Sequence, residues 1–187
     1  MLRAISPQRD STVITIGELS LRAEGEAIPD SAFKEPAIKI VEHYSWSGVK
    51  HAELYPQMVD LLRNTWNCRH IVVDATGIGE PVASFLRKSL GSRVIPFKFS
   101  QQSKSELGFD LLSFVNSGRV KMYAGDGSEE YREFWHQMEK AKSQYRPSQT
   151  MNFYVDPAEG HDDYLMSLAL LVEAANQYHP RSAKGSL

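Results

Sequence analysis

The chain has only one cysteine, Cys68, among its 187 residues. It therefore has no intrachain disulfide and no cysteine cluster that would bind zinc, which favours a reducing, cytoplasmic location. It also lacks a run of about 18 apolar residues and a signal-peptide pattern, so the sequence predicts neither a membrane span nor a membrane partner. Internal repeats and low-complexity segments are missing as well.

The chain also lacks a large excess of charge of one sign. Lys and Arg number 21 and Asp and Glu number 23, for a net charge of −2. This balance gives no argument for nucleic-acid binding by the whole surface, although a local basic patch can still bind. No glycine-rich loop ending in Lys-Ser or Lys-Thr occurs, which excludes a P-loop ATPase in this chain.

What the chain does have is an ordinary globular composition, with 42% hydrophobic and 24% charged residues. A chain of this length can bury one substantial core. We expect a single domain over residues 1–178 and a loose C-terminal tail over residues 179–187.

Hydrophobic periodicity predicts alternating strands and helices. The predicted strands cover 13–16, 37–41, 70–74, 94–99, 120–123 and 151–155, the helices 54–66, 81–90, 105–117, 129–142 and 162–177, and the main loops 24–35 and 143–150. The consecutive apolar residues Ile71, Val72 and Val73 are typical of a strand covered on both faces. Together these patterns predict an α/β fold.

Asp74 is the first candidate for chemistry, because it ends this apolar strand and precedes a glycine-containing turn. Functional groups of α/β sheets gather at the carboxyl ends of strands, where the sheet fixes the backbone. The alternative interpretation is structural, since Asp often accepts hydrogen bonds from backbone N–H groups of the following turn.

The pair Asp162 and Asp163 is the second candidate, directly before the last predicted helix. One of them could act as the helix N-cap, but a cap needs only one carboxylate. The other adds like charge, which a cation or solvent must offset. Hard divalent cations such as Mg²⁺ prefer carboxylate oxygens. Asp74 and Asp163 therefore have the form of a carboxylate metal site, and two such metals can activate water and stabilise a leaving oxygen.

Three segments, in this order along the chain, resemble motifs of the nuclease domain of tailed-phage large terminases. They are Asp-Ser-Thr-Val-Ile-Thr-Ile-Gly over 10–17, Val-Val-Asp-Ala-Thr-Gly-Ile-Gly-Glu-Pro-Val over 72–82, and Gly-His-Asp-Asp-Tyr-Leu-Met-Ser-Leu-Ala over 160–169. The segment between them also fits, with Lys104-Ser105-Glu106, a helix and Gly118-Arg119-Val120. The resemblance covers nearly the whole chain.

This resemblance implies a ribonuclease H-like three-layer α/β fold, with a central mixed sheet flanked by helices. It implies a Mg²⁺- or Mn²⁺-dependent endonuclease that cuts double-stranded concatemeric phage DNA during packaging in the host bacterial cell. Asp74, Asp162 and Asp163 would be the catalytic, metal-binding residues. The ATPase domain of the terminase, the small terminase and the portal would be its protein partners.

One catalytic acid of that family is missing from the matching position. The family carries an Asp on its first strand, and aligning Ala4-Ile5-Ser6 with the family phrase puts Leu2 in its place. The ligand shared by two metals is expected to come from that Asp. We therefore expect this chain to bind divalent metal weakly and to cut DNA poorly. Restoring an Asp there should bring back cleavage.

Two further interpretations remain open beside a nuclease impaired by truncation at its N-terminus. The chain could be a non-catalytic prophage remnant or DNA-binding module that keeps the fold, or another ribonuclease H-like enzyme such as a Holliday-junction resolvase.

DNA contact is predicted to be local. Several of the basic residues between the two acidic motifs should approach the acids and contact phosphates without reading bases. Lys104 and Arg146 are the main candidates, and the others are Lys98, Arg119, Lys121, Lys140 and Lys142. The alternative is that these residues are solvated surface charges.

Overall fold

The structure is a computed structural model that describes residues 11–20 and 36–178. The predictions for Leu2 and Asp10, for the loop over 24–35 and for the tail from residue 179 lie outside these described residues. In the described ranges, no helix is long and apolar enough to cross a membrane.

The described residues form seven strands and five α-helices, in the order that the sequence predicts except for one additional strand, Ala141–Tyr145. In chain order they are β1 (Ser11–Ser20), β2 (Ala37–Ser47), α1 (His51–Asp60), β3 (Ile71–Asp74), α2 (Glu80–Leu90), β4 (Val94–Phe97), α3 (Gln101–Asn116), β5 (Val120–Lys121), α4 (Glu129–Lys140), β6 (Ala141–Tyr145), β7 (Met151–Val155) and α5 (Asp163–Asn176). A π-helical turn, Leu61–Thr65, extends α1. The predicted α/β class is confirmed.

The strands combine antiparallel and parallel pairing. β2 pairs antiparallel with β1 and parallel with β5. β3 and β4 form a parallel pair, and β6 and β7 form an antiparallel hairpin. The parallel β3–β4 pair is connected through α2, so Asp74 and Phe97 end up side by side at the carboxyl ends of their strands.

Helix α5 packs across β1, β2 and β3 and against α3 and α4. Its predicted inward face is confirmed, because all five apolar residues assigned to that face are buried: Leu165, Leu168, Ala169, Val172 and Ala175. Strand β2 contributes the buried Ile38 and Ile40 to the same core cluster. The first residues of α5, which carry the acid pair, are thereby fixed relative to both strand groups.

The prediction of a loop over 143–150 is wrong in its first part, because β6 extends through Tyr145. All five residues of β6 are exposed and mostly polar, so no apolar alternation marks the strand in the sequence. Helix α4 correspondingly ends at Lys140 rather than at Lys142. Ala141 takes extended backbone angles and pairs with Val155 of β7.

Strand β3 also differs from its prediction, since only Ile71 of its three apolar residues is buried. Val72 and Val73 are half-buried because they line an open cleft along the strand edge that faces away from β4. The same cleft contains the acidic residues described next.

Candidate functional site

Asp74 lies at the last position of β3, as the sequence predicts. Its Oδ1 accepts a hydrogen bond of 2.7 Å from the backbone N–H of Thr76, so the structural role considered above is present. That bond uses one oxygen of a carboxylate that has two, each with more than one lone pair. The turn therefore orients Asp74 without exhausting its capacity to bind a cation.

The turn after Asp74 is held tightly around it. The Thr76 hydroxyl accepts a 2.8 Å hydrogen bond from the N–H of Phe99, and the N–H of Ala75 donates to the carbonyl of Phe97 at 2.7 Å. A Cβ added to Gly79 would collide with the carbonyl oxygen of Asp74. The glycine at position 79 is thus required for the close approach of α2 to the acid.

The acid pair lies at the start of α5, with Asp162 at the N-cap position and Asp163 as the first helical residue. The side chain of Asp162 makes no capping hydrogen bond to the helix. Instead, the side-chain oxygen of Gln137 accepts hydrogen bonds from the N–H groups of Tyr164, at 2.8 Å, and Leu165, at 3.3 Å. The interpretation of Asp162 as a plain helix cap is therefore wrong.

The loop that leads to the acid pair is fixed by ion pairs. The Glu159 carboxylate binds the ammonium groups of Lys140, at 3.1 Å, and Lys142, at 2.6 Å. Lys142 also lies 3.7 Å from a carboxylate oxygen of Asp156. Two of the lysines proposed as DNA contacts are thus already paired with carboxylates of this loop.

Asp74, Asp162 and Asp163 line one cleft of about 940 Å³ between β1 and β3. Among the described strands, β1 is hydrogen-bonded only to β2 and β3 only to β4, so the cleft separates two strand edges. All three acids that the sequence singles out thus line the same cleft.

By chemistry, these carboxylates suit a hard divalent cation, which prefers oxygen donors and keeps several of its waters. However, few such oxygen donors are grouped together. Within residues 11–20 and 36–178, no three Asp, Glu, His or Cys side chains are grouped closely enough to form a metal site by themselves. Any cation bound here would therefore have no more than two of these described side chains grouped around it and would keep waters in its coordination shell.

Lys104 and Arg146 line a second cavity of about 310 Å³ next to the N-terminus of α3. Burial of the Lys104 ammonium group lowers its pKa, and the negative charge of Asp162 partly opposes this effect. The positive charge of Arg146 lowers the pKa of Lys104 further. The two cations and the acid are therefore electrostatic neighbours.

The chain matches a known family and known structures. The sequence profile of the family described as the terminase RNaseH-like domain matches residues 33–174. A search of curated proteins gives no significant match. The structure resembles the large terminase nuclease from thermophilic phage G20c with bound cobalt, with 18% identity, a TM-score of 0.59 and coverage of 91% of this chain and 83% of that chain.

Two further structures agree with this match. The phage G20c nuclease with bound magnesium has 17% identity and a TM-score of 0.59, over 92% of this chain and 84% of that chain. The large terminase nuclease domain of Thermus phage P74-26 has 16% identity and a TM-score of 0.56, over 94% of this chain and 84% of that chain. These similarities confirm the predicted ribonuclease H-like fold.

Proposed function

This chain belongs to the terminase RNaseH-like domain family, and on that basis we propose that it is a metal-dependent endonuclease domain of a phage large terminase. Its substrate would be double-stranded concatemeric DNA, cut during packaging. The single observation that best supports this proposal is the convergence of Asp74, Asp162 and Asp163 on one cleft. The family match also favours a terminase over a junction resolvase.

The cation would be Mg²⁺ or Mn²⁺. The related phage G20c nuclease has been solved with cobalt, with magnesium and with zinc, which supports a divalent ion here. When bound, such an ion neutralises phosphate charge and lowers the pKa of a coordinated water. The carboxylate oxygens of Asp74, Asp162 and Asp163 would hold it, directly or through its coordinated waters.

The contacts to the DNA backbone would be supplied by the two cationic residues of the second cavity. Lys104 and Arg146 would pair with phosphate oxygens and position the DNA backbone next to the carboxylates. Because both contacts are electrostatic, they would carry affinity without base specificity. The ATPase domain, the small terminase and the portal would be partners of the complete terminase.

A second candidate function is a DNA-binding module without cleavage activity. The small number of metal donors grouped among the described residues favours it. Both functions predict DNA binding, but only the nuclease requires Asp74, Asp162 and Asp163 to bind a cation.

The acids are expected to affect metal binding more than folding. Asp74→Asn and Asp163→Asn should melt no lower than the parent chain in metal-free buffer, because each substitution removes like charge and keeps an oxygen acceptor. Mn²⁺ at about ten times its dissociation constant should raise the parent Tm by about 3–5 °C. That increase should be lost in both variants. Thermal melts with and without Mn²⁺ measure these shifts.

The control for these melts is Asp60→Asn. Asp60 lies on exposed helix surface, where it accepts a hydrogen bond from the Asn64 side chain, and it does not line the cleft. Its variant should retain the full Mn²⁺ effect. A loss of about 0.5–2 kcal/mol in Asp163→Ala, equal with and without metal, would instead indicate a purely structural role at the start of α5 and contradict the metal site.

Lys104→Ala and Arg146→Ala are each expected to weaken DNA binding uniformly across sequences. Each should also reduce the slope of log affinity against log salt by about 0.9, the effect of losing one phosphate contact. Fluorescence anisotropy over a salt series measures both quantities. Lys88→Ala, an exposed lysine near the end of α2 opposite Asp74, is the control. A salt-independent affinity of the parent, or unchanged binding in both variants, would contradict the proposed phosphate contacts.

A further inference from the structure

The first N–H groups of an α-helix have no partner within the helix, and a side chain at the N-cap position usually accepts from them. Asp is among the residues best suited to this task. In α5, however, Asp162 holds the N-cap position without making that bond. The N–H groups of Tyr164 and Leu165, the second and third residues of the helix, donate instead to the side-chain oxygen of Gln137.

Gln137 is held in one orientation for this contact. It is only 1% exposed and lies on α4, one turn after the buried Phe134. Its side-chain NH₂ donates a 3.0 Å hydrogen bond to the carboxylate of Glu133. The Glu133 carboxylate can only accept and the helix N–H groups can only donate. The amide therefore satisfies both partners only when its NH₂ faces Glu133 and its oxygen faces the helix.

This arrangement affects Asp162 and Asp163, the acids next to these N–H groups. A capping carboxylate directs an oxygen toward the helix amides and loses part of its capacity to bind a cation. A neutral amide performs the same task without adding negative charge, and the positive end of the helix dipole still offsets the repulsion between Asp162 and Asp163. Both carboxylates line the cleft.

We propose that Gln137 is a positioning residue, which caps α5 in place of Asp162 and so keeps the Asp162 carboxylate available for a divalent cation in the cleft. This inference rests on the proposed function for its cation, but the capping role can be measured in metal-free protein. The contact links α4 to the first turn of α5, directly after Asp162, in the way that residues outside a metal site orient its ligands.

The direct test is a double-mutant cycle on the complete metal-free chain, using Gln137→Met and Asp162→Ala. In the parent, Asp162→Ala should change Tm by less than about 1 °C, because Asp162 does not cap. In the Gln137→Met background, Asp162 is free to take over the cap. There, Asp162→Ala should lower Tm by a further amount of about 2–4 °C. Equal effects of Asp162→Ala in both backgrounds would overturn the proposal.

A second readout is metal affinity, which a purely structural role of Gln137 would not change in a well-folded variant. Gln137→Met should weaken Mn²⁺ binding roughly tenfold. The same exchange at an exposed position of α1, Gln57→Met, is the matched control.

The outcomes separate the two claims. If the parent chain binds no Mn²⁺, the proposed function fails, whereas the cycle in metal-free protein still decides whether Gln137 is the cap. If the parent binds Mn²⁺ and Gln137→Met folds and binds it equally well, the positioning role of Gln137 is overturned and the proposed function stands.

Discussion

Replacing Leu2 by Asp is expected to raise Mn²⁺-dependent nicking of supercoiled DNA by this chain on the order of 100-fold, the scale on which a single charge-stabilising group in an active site acts. A two-metal site needs a ligand that bridges its ions, and the resemblance to large terminases places that acid at position 2. Asp74, Asp162 and Asp163 line the cleft, yet no three metal-binding groups cluster within the described residues.

The reach of position 2 is consistent with this expectation. The cleft is lined by β1 from its first residue, Ser11. Each residue of extended chain spans at most about 3.3–3.6 Å, so nine positions are enough chain for an Asp at position 2 to approach that end of the cleft. Leu2 itself lies outside the described residues.

The blank for this assay is the double variant Leu2→Asp with Asp74→Asn, which should nick no faster than buffer with Mn²⁺. An upstream extension that carries Asp at the aligned position should restore cleavage more completely than Leu2→Asp. Strong nicking by the unmodified chain, abolished by Asp74→Asn alone, would show that a different residue supplies the missing ligand.

Acidification is expected to destabilise the fold through His43. Burial lowers the pKa of His43 from 6.5 to about 4, and its ring is only 3% exposed. The ring stacks on Phe134, with centroids 4.8 Å apart, and its Nδ1 lies 3.1 Å from the hydroxyl of Thr15. Because that hydroxyl donates to Ser167, it accepts from Nδ1, which therefore carries the proton of the neutral ring.

Acid lowers the stability of the folded state because the pKa of His43 is lower in the folded than in the unfolded chain. As pH falls below 6.5, the unfolded chain takes up a proton at His43 that the folded chain does not, so the free energy of unfolding decreases. By pH 4 the loss amounts to about 3 kcal/mol, since each pKa unit corresponds to about 1.4 kcal/mol, and it levels off below that pH.

Urea unfolding of the parent and of His43→Gln at pH 7, 5.5 and 4 measures this contribution. The difference in stability between the two proteins should shrink as pH falls, while His51→Gln, an exposed histidine on α1, should follow the parent. A parent–variant difference that stays constant from pH 7 to pH 4 would contradict the assignment to His43.

The features that the sequence predicts correctly are those set by local patterns. The apolar residues of α5 recur at helical spacing, and the order of strands and helices follows from alternating periodicities. Asp74 is recognisable because the apolar residues of β3 end at it, and Asp162 and Asp163 because they precede the periodic residues of α5.

The features that the sequence misses depend on tertiary contacts. Strand β6 is exposed at every position, so only its pairing with β7 defines it. Gln137 contacts N–H groups 27 and 28 positions later in the chain, which no local pattern encodes. Its only signal is a polar residue one turn from the buried Phe134 on the apolar stripe of α4.

The partners of charged side chains are equally hard to predict from the sequence, as Lys140 and Lys142 show. In the sequence they are equivalent to Lys104 as candidate phosphate contacts. In the structure, Glu159 binds both of them, whereas Lys104 lies in the electrostatic field of Asp162 and Arg146. The partner of a surface charge is decided by the fold, so composition alone does not separate these roles.

The central claim is that Asp74, Asp162 and Asp163 together bind a divalent cation in the cleft. Calorimetric titration of the metal-free chain with Mn²⁺ tests it most directly. The account predicts weak binding of one ion per chain, lost in Asp74→Asn and Asp163→Asn, retained in Asp60→Asn and strengthened in Leu2→Asp. Binding of equal strength in all of these variants, or no binding in either the parent or Leu2→Asp, would contradict it.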